Sequence, residues 1–465
     1  MNDSNTRSNK NATSPRRSPG RPDPLYADKP GLEARAAAVK LLGAVVDRKT
    51  SLDGMLDAEH GNPAYMALDD ADRSLVRAIL QTTLRYLPRI EAVIGSLLDS
   101  PLPSGARSLQ HVLAVGVAQI LYLDVPDHSA VDLSVELANR DSRNRRFAKL
   151  ANAILRRVVR EKQALLDEFA AVVCVPDWFF ERMVKAYGEE RAHRIADAQL
   201  VPAAIDLTVK SEPERWAERL EGVVLPTGGV RLAAGKGAIT GLEGFEGGDW
   251  WVQDAAASIP ARLFPEISGM RIADLCAAPG GKTAQLALAG ADVTAVEQSA
   301  NRLKRLKENL GRLGMDVEFV QSDLMKFEPE QAFDAVLLDA PCSSTGTTRR
   351  HPDVLWAKGP EDIEKLAGVQ ERLLRKALTL VRPGGYVVFS NCSLDPIEGE
   401  ELVDRVLRES SDYARHPIQA SDWPGLDAAI TPLGEFRTTP DMLQLDGAFA
   451  SGMDGFYACV IRRDL

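Results

Sequence analysis

The sequence predicts a multidomain protein: an all-α N-terminal domain, a small α/β connector, and a C-terminal α/β domain of the doubly wound, Rossmann-like kind. Three observations carry that expectation. The chain has 465 residues, room for roughly three domains of about 150 residues each. From about Leu32 to Lys162 apolar residues recur at helical spacing, and from about Gly248 onward β-branched apolar strands alternate with helical stretches.

Residues 1–30 are rich in Ser, Asn, Pro, Arg and Gly and nearly free of apolar side chains, so burial there cannot offset the entropy of ordering, and a disordered tail is expected. Residues 31–165 follow with four helical stripes: Leu41, Leu42, Val45; Leu75, Ile79, Leu80; Val112, Leu113, Val117, Ile120, Leu121; and Ala151, Ile154, Leu155, Val158. The breaks LDDADR and VPDHSA separate them. Residues 166–247 change character, with a helix in PDWFFERMVKAYGEERAHRIADAQ, a strand in AIDLTV, a helix in PERWAERL and a strand in GGVRLA. This connector has no aromatic pair of the kind that stacks nucleobases on a sheet. In residues 248–465 the strands MRIADL, DVTAVE, VEFVQSD, AVLLDA and YVVFSN enclose the helices TAQLALA, ANRLKRLKENLGRLG and EDIEKLAGVQERLLRKALTLV. Ligands of such sheets bind beyond the carboxyl ends of the strands, which is where chemistry is to be sought.

Composition narrows the function. The sequence has no long uncharged apolar run and no apolar leader, so neither a membrane span nor a secretory signal is expected and a cytoplasmic location follows by default. Five widely spaced cysteines without a Cys-x-x-Cys pair suggest neither a disulfide framework nor a metal site. A net charge of −10 argues against nucleic-acid binding by the whole surface. One segment runs the other way: Asn139 to Lys162 holds Arg140, Arg143, Arg145, Arg146, Lys149, Arg156, Arg157, Arg160 and Lys162 against Asp141 and Glu161. It reads either as a solvated helical face or as a phosphate-binding one.

The first strand of the C-terminal domain runs into DLCAAPGGKT. A phosphate-binding loop would need glycine where Cys276 stands, and the dinucleotide fingerprint is also missing, so the turn suits a nucleoside cofactor without a phosphate to cradle. Glu297 ends the second strand, 23 residues after Asp274, where a carboxylate can take both ribose hydroxyls. Asp323 ends the third, where an acid can accept from an adenine amino group, although a lone acid there is also a common helix cap. Together with Asp339 at the fourth strand end, these acids fit S-adenosylmethionine.

The fourth strand ends in Asp339-Ala340-Pro341-Cys342, a thiol where amino-methylating enzymes place an aromatic. C5 of cytosine is not nucleophilic, so methylating it requires a thiolate to add at C6 first. Asp339 would hydrogen-bond N3 or the 4-amino group of the base. From the residues alone Cys342 is the candidate thiol, but a second one, Cys392 in SNCSLD, ends the next strand.

At these motifs the chain resembles the Sun (or Fmu) type of bacterial ribosomal-RNA cytosine-5 methyltransferases. The likeness lies in DLCAAPGGKT, LLDAPCSSTG, RRHPD with Trp356, VQDAAAS, NCSLDPIEGE and DGFYA. It extends to that family's NusB-like RNA-binding domain through LVRAILQTTLRYLPR and LAVGVAQILYLDVPDHSAVDLSVELA. The resemblance implies that Cys392 is the nucleophile and Cys342 the thiol that helps release the product. It places the cofactor at Cys276, Ala277, Ala278, Pro279, Gly280, Gly281, Lys282, Glu297, Asp323 and Asp339. It also implies RNA contacts at Arg140, Arg143, Arg145, Arg146, Lys149, Arg156, Arg157, Arg349 and Arg350, a substrate of 16S ribosomal RNA that is naked or early in assembly, a monomer, and no metal. The sequence departs from the family pattern at Glu297 (commonly Asp), Asn391 (commonly Thr) and Gly399 (commonly Asn). Two rival readings share the motifs or the domain: a transfer-RNA cytosine-5 methyltransferase, and an RNA-binding assembly factor whose methyltransferase domain is inactive.

Overall fold

The computed structural model describes residues 29–57 and 60–464, and most of the tail expected over residues 1–30 lies outside them. The chain divides into two compact units. One takes in the described residues up to Thr83 with Ile94–Leu166; the other takes in Leu84–Val93 and everything described from Asp167 on.

The first unit is helical. Helices Leu32–Val46, Arg107–Tyr122, Asp127–Arg140 and Ala148–Arg160 carry most of it. The helix Ala148–Arg160 buries Ala148, Ala151, Ile154, Leu155 and Val158 and turns its arginines outward, as the apolar spacing predicts. The helix Arg107–Tyr122 is buried almost all round, which suits its near-continuous apolar run.

Beyond Asp167 the second unit continues with two helices, Asp177–Tyr187 and Glu189–Ala198. The stretch is helical as the sequence suggests, and Gly188 divides it: its φ of +80°, a left-handed backbone, ends the first helix. Strands β1 (Asp206–Val209), β2 (Gly222–Val224), β3 (Val230–Leu232) and β4 (Trp250–Val252) form an antiparallel sheet in the order β2-β3-β1-β4. β4 lies beyond the expected connector boundary at residue 247, yet it pairs with β1 through Leu207–Val252 and Val209–Trp250. Sequence reading passes over β2 and β4, each only three residues long.

The larger sheet contains β5 (Arg271–Leu275), β6 (Asp292–Glu297), β7 (Glu318–Gln321), β8 (Phe333–Asp339), β9 (Val381–Asn391), β10 (Tyr413–Arg415), β11 (Phe436–Thr438) and β12 (Phe456–Arg463). Its order is β10-β12-β9-β8-β5-β6-β7, with β11 added to β12. β5 to β9 run parallel, whereas β12 is antiparallel to β9. Both faces are covered, so the middle of β8, Ala335 to Leu338, is apolar without interruption: Val336 and Leu338 pack into one layer with Leu374 and Phe389, Ala335 and Leu337 into the other with Leu286 and Leu306. Each fully buried Leu or Val contributes roughly 1.5–3 kcal/mol of transfer free energy. The chain order reverses between β5 and β8, which puts a crevice at their carboxyl ends.

Candidate active site

A cavity of about 470 Å³ opens at those strand ends. Of the residues expected at a cofactor site, Cys276 to Lys282 and Asp339 line it, with Asp274 and Cys392. The turn after β5 is built for close approach: Cys276 adopts φ +65° and Gly280 φ +106°, and a Cβ on Gly280 would stand 2.5 Å from Leu306 Cδ1. Burial pushes the Cys276 thiol up to about 12, which leaves it a neutral wall of the cavity rather than a nucleophile.

The strand-end acids differ in what they do. Asp274 is fully buried, accepts from Thr283 Oγ1 at 2.6 Å through Oδ2, and leaves Oδ1 without a hydrogen-bond partner; burial pushes its carboxyl up to about 7. Glu297 is buried at the end of β6, one oxygen taking the Ser299 N–H at 2.9 Å and the other without a hydrogen bond, 3.5 Å from Arg302 Nη1. Asp323 caps the short turn Leu324–Lys326 through Met325 N–H at 3.0 Å. Glu297 and Asp323 stand at the ends of neighbouring strands, and neither lines the cavity. Buried acceptors left open at Asp274 and Glu297, beside a glycine turn, fit a nucleoside that brings its own hydroxyl and amino donors.

Asp339 is held on both oxygens, by Lys282 Nζ at 2.8 Å and by Ser390 Oγ at 2.9 Å. Lys282 Nζ also lies 4.8 Å from the centre of the Phe456 ring, another wall of the cavity. Gln253, Asp254 and Phe456 also line it; they belong to VQDAAAS and DGFYA, where resemblance marked the segments without giving these side chains a role, and Trp251, just before the first of these segments, lines it too.

β8 and β9 are adjacent and parallel, with Asp339 opposite Ser390, so the loops that follow them bring Cys342 Sγ to 3.3 Å from Cys392 Sγ. Cys392 faces the cavity; Cys342 is buried behind it. The hydrogen bond between the sulfurs is the largest influence on both: it holds Cys392 below the ordinary thiol range and drives Cys342 well above it, with burial and the Glu398 carboxylate adding to the rise at Cys342.

Two departures from the family pattern find local reasons. Asn391 fixes the turn after β9, its amide donating to Glu398 O at 2.6 Å and its oxygen accepting Ser393 N–H at 2.9 Å. At Gly399 a Cβ would stand 2.4 Å from Arg437 Nη2, so the buried Arg437 guanidinium occupies the space a larger side chain would need.

The expected RNA contacts separate. Arg143, Arg145, Arg146, Lys149, Arg156 and Arg157 are exposed on the helical unit and Arg140 is half-buried. Arg140, Arg143 and Arg157 pair with Glu136, Asp141 and Glu161. Arg349 does not belong with them: it is 2% exposed and donates to the Val201 and Ser451 carbonyls, so it is a framework residue of the second unit. Arg350 lines the cavity and pairs with the buried Asp454. A basic run in sequence cannot reveal which way each guanidinium turns.

Known proteins match this arrangement. Residues 263–454 match the family model described as 16S rRNA methyltransferase RsmB/F, and residues 32–160 the NusB family. The ribosomal RNA small subunit methyltransferase B of Vibrio vulnificus (strain YJ016) is 34% identical over 452 residues, 92% of this chain and 99% of that one. The chain belongs to the ribosomal RNA small subunit methyltransferase B family. Among solved structures, a methyltransferase homolog from Pyrococcus horikoshii is 29% identical with a TM-score of 0.52, over 64% of this chain and 99% of that one. NSun6 from the same organism, solved with SFG, shares the fold at 20% identity and a TM-score of 0.53, over 62% of this chain and 98% of that one. The chain is thus an RNA methyltransferase with a NusB-like helical domain, a Rossmann-like methyltransferase domain and S-adenosylmethionine as cofactor. Among the described residues no helix is long and apolar enough to cross a membrane, and no cluster of three or more His, Cys, Asp or Glu could hold a metal.

Proposed function

We propose that the protein methylates C5 of a cytosine in 16S ribosomal RNA through a covalent adduct between Cys392 and C6 of the base. The observation that carries the reading is the sulfur pair: Cys392 lines the cofactor cavity beside Asp339, with Cys342 hydrogen-bonded behind it at 3.3 Å.

The Cys342 S–H donates to Cys392 and favours its thiolate, the form that attacks. Addition of that sulfur to C6 makes C5 enamine-like. S-adenosylmethionine, when bound, supplies the electrophilic methyl group that C5 takes up. Asp339, steadied by Lys282 and Ser390, retains lone pairs to accept from the 4-amino group of the base. Transfer of the C5 proton to solvent water then lets its electron pair restore the C5–C6 double bond as the C6–sulfur bond breaks and its electrons return to the Cys392 sulfur. Cys342 stabilises the departing Cys392 thiolate through the same hydrogen bond that favoured it before attack. Cys276 to Lys282, Glu297 and Asp323 form the cofactor side, and Phe456 and Arg350 the rest of the wall. The base must leave its stack, because a thiol and a methyl donor cannot both reach a stacked ring.

The ribosomal substrate is supported by what the relatives are named for and by the NusB-like domain, whose exposed Arg143 to Arg157 face supplies phosphate contacts. We read that substrate as naked or early in assembly and the protein as a cytoplasmic monomer of three domains, with a connector between the helical and methyltransferase domains. Tritiated methyl transfer to bare 16S ribosomal RNA, run beside transfer RNA, tests the function, and bisulfite sequencing locates the base. Label in transfer RNA alone would replace the substrate; RNA binding with no label in either would leave an assembly factor.

A further inference from the structure

Both cysteine loops end on one carboxylate. Glu398 is completely buried and accepts four hydrogen bonds. Ser343, the residue after Cys342, gives two: its N–H to Oε1 at 2.9 Å and its hydroxyl to Oε2. Ser393, the residue after Cys392, gives its hydroxyl to Oε2 at 2.6 Å. Gln370, from the helix Pro360–Leu380 packed on the sheet, gives its amide to Oε1 at 2.7 Å. Direct ties between the two loops run alongside: Gly346 N–H donates to Cys392 O at 2.9 Å, and Leu394 N–H to Thr345 Oγ1 at 3.0 Å. A buried carboxylate is costly unless its lone pairs are filled, and here filling them demands that both loops and the helix stand in one arrangement. Burial raises the Glu398 carboxyl above its ordinary range, which is the strain of keeping a charge there and the reason that losing any donor should be felt.

We propose that Glu398 is the positioning residue that sets the spacing of the two thiols, and through it the handover from attack to release. The inference rests on the two-thiol reading above, but the apposition itself can be measured without RNA or methyl donor. Diamide adds a Cys392 thiolate to one diazene nitrogen, and the Cys342 sulfur then displaces it: one disulfide forms, the diazene is reduced to the hydrazine, and both thiol protons end on its nitrogens. Closure of this disulfide in the full chain reports how often the sulfurs meet.

Glu398→Gln, with a melting temperature close to that of the parent, should slow closure by about tenfold or more, because a misplacement of about 1 Å in a reacting pair is worth on the order of 10²-fold. The same variant should lower kcat and accumulate protein–RNA adduct while KM for S-adenosylmethionine stays put, a split that a general loss of fold would not give. Should Glu398→Gln fail to fold, Ser393→Ala removes one donor and keeps the carboxylate, and closure slowed by about threefold is the expected result. Closure within twofold of the parent in whichever folded variant is measured overturns the proposal. If instead Cys392 proves not to be the nucleophile, closure is unaffected and only the catalytic roles change.

Discussion

Cys342 and Cys392 end neighbouring parallel strands and touch through their sulfurs, yet the protein surrounds them differently. Cys392 meets the cavity, and the hydrogen bond to Cys342 holds its thiol below the ordinary range. Cys342 sits a layer deeper, under the influence of the Glu398 carboxylate, and is kept protonated. The difference teaches that a strand-end thiol is not defined by its strand: one hydrogen bond shifts two similar residues in opposite directions, and the proposed division into attack and release follows that asymmetry. The largest test of that asymmetry is deletion. Cys392→Ala is expected to lower methyl transfer by on the order of 10⁴-fold or more and to leave no adduct resistant to denaturation. Cys342→Ala should keep the attacking sulfur and lose the donor that eases its departure, so turnover stops with protein attached to RNA. An adduct seen only with Cys392→Ala would exchange the two roles.

The same comparison can be read without RNA from the pH dependence of alkylation. The Cys342 hydrogen bond holds Cys392 low, so in the parent its iodoacetamide reaction should level off at a pH below the ordinary thiol range. Removing the donor in Cys342→Ala takes away the principal cause of that depression. The inflection should then move up, and with it the neutral-pH alkylation rate should fall by several-fold. An inflection that stays where it was would mean that Cys392 owes its reactivity to something other than its neighbour.

Much of this was legible in the sequence, and the parts that were not have physical reasons. The parallel strands β5 to β9 show as apolar runs because both faces of the sheet are covered, and the acids and thiols show because each follows such a run. β12 lies inside the sheet beside β9, but its run follows a long irregular stretch, and the single antiparallel insertion breaks the strand–helix rhythm that made the others visible. Glu398 could not be singled out, since its role depends on Ser343 and Ser393, brought to it from loops fifty residues apart. Arg349 and Arg350 look alike in RRHPD, yet one guanidinium is spent on backbone carbonyls and the other turns to the cavity. Asp323 carried two readings in the sequence, and the capping one is visible in its bond to Met325, which leaves its part in cofactor binding to be tested.

The smallest expected effect concerns the helical unit, and it separates chemistry at the thiols from grip on the RNA. Arg145, Arg146 and Arg156 engage neutral partners: the Asn139 carbonyl, the Phe147 ring and the Asn152 side chain. Their charge is therefore less offset than that of Arg140, Arg143 and Arg157, whose carboxylate partners must be given up before a phosphate can be taken. Arg145→Ala and Arg146→Ala should each weaken RNA binding several-fold and reduce the slope of log affinity against log salt by about one or slightly less, as expected for one phosphate contact. Arg157→Ala should do less on both counts. None of the three should alter disulfide closure between Cys342 and Cys392 or the alkylation profile of Cys392, because the leading influences on both sulfurs come from residues of their own unit. A salt slope unchanged by all three substitutions would make the basic run a solvated helix face and move the RNA-binding surface elsewhere.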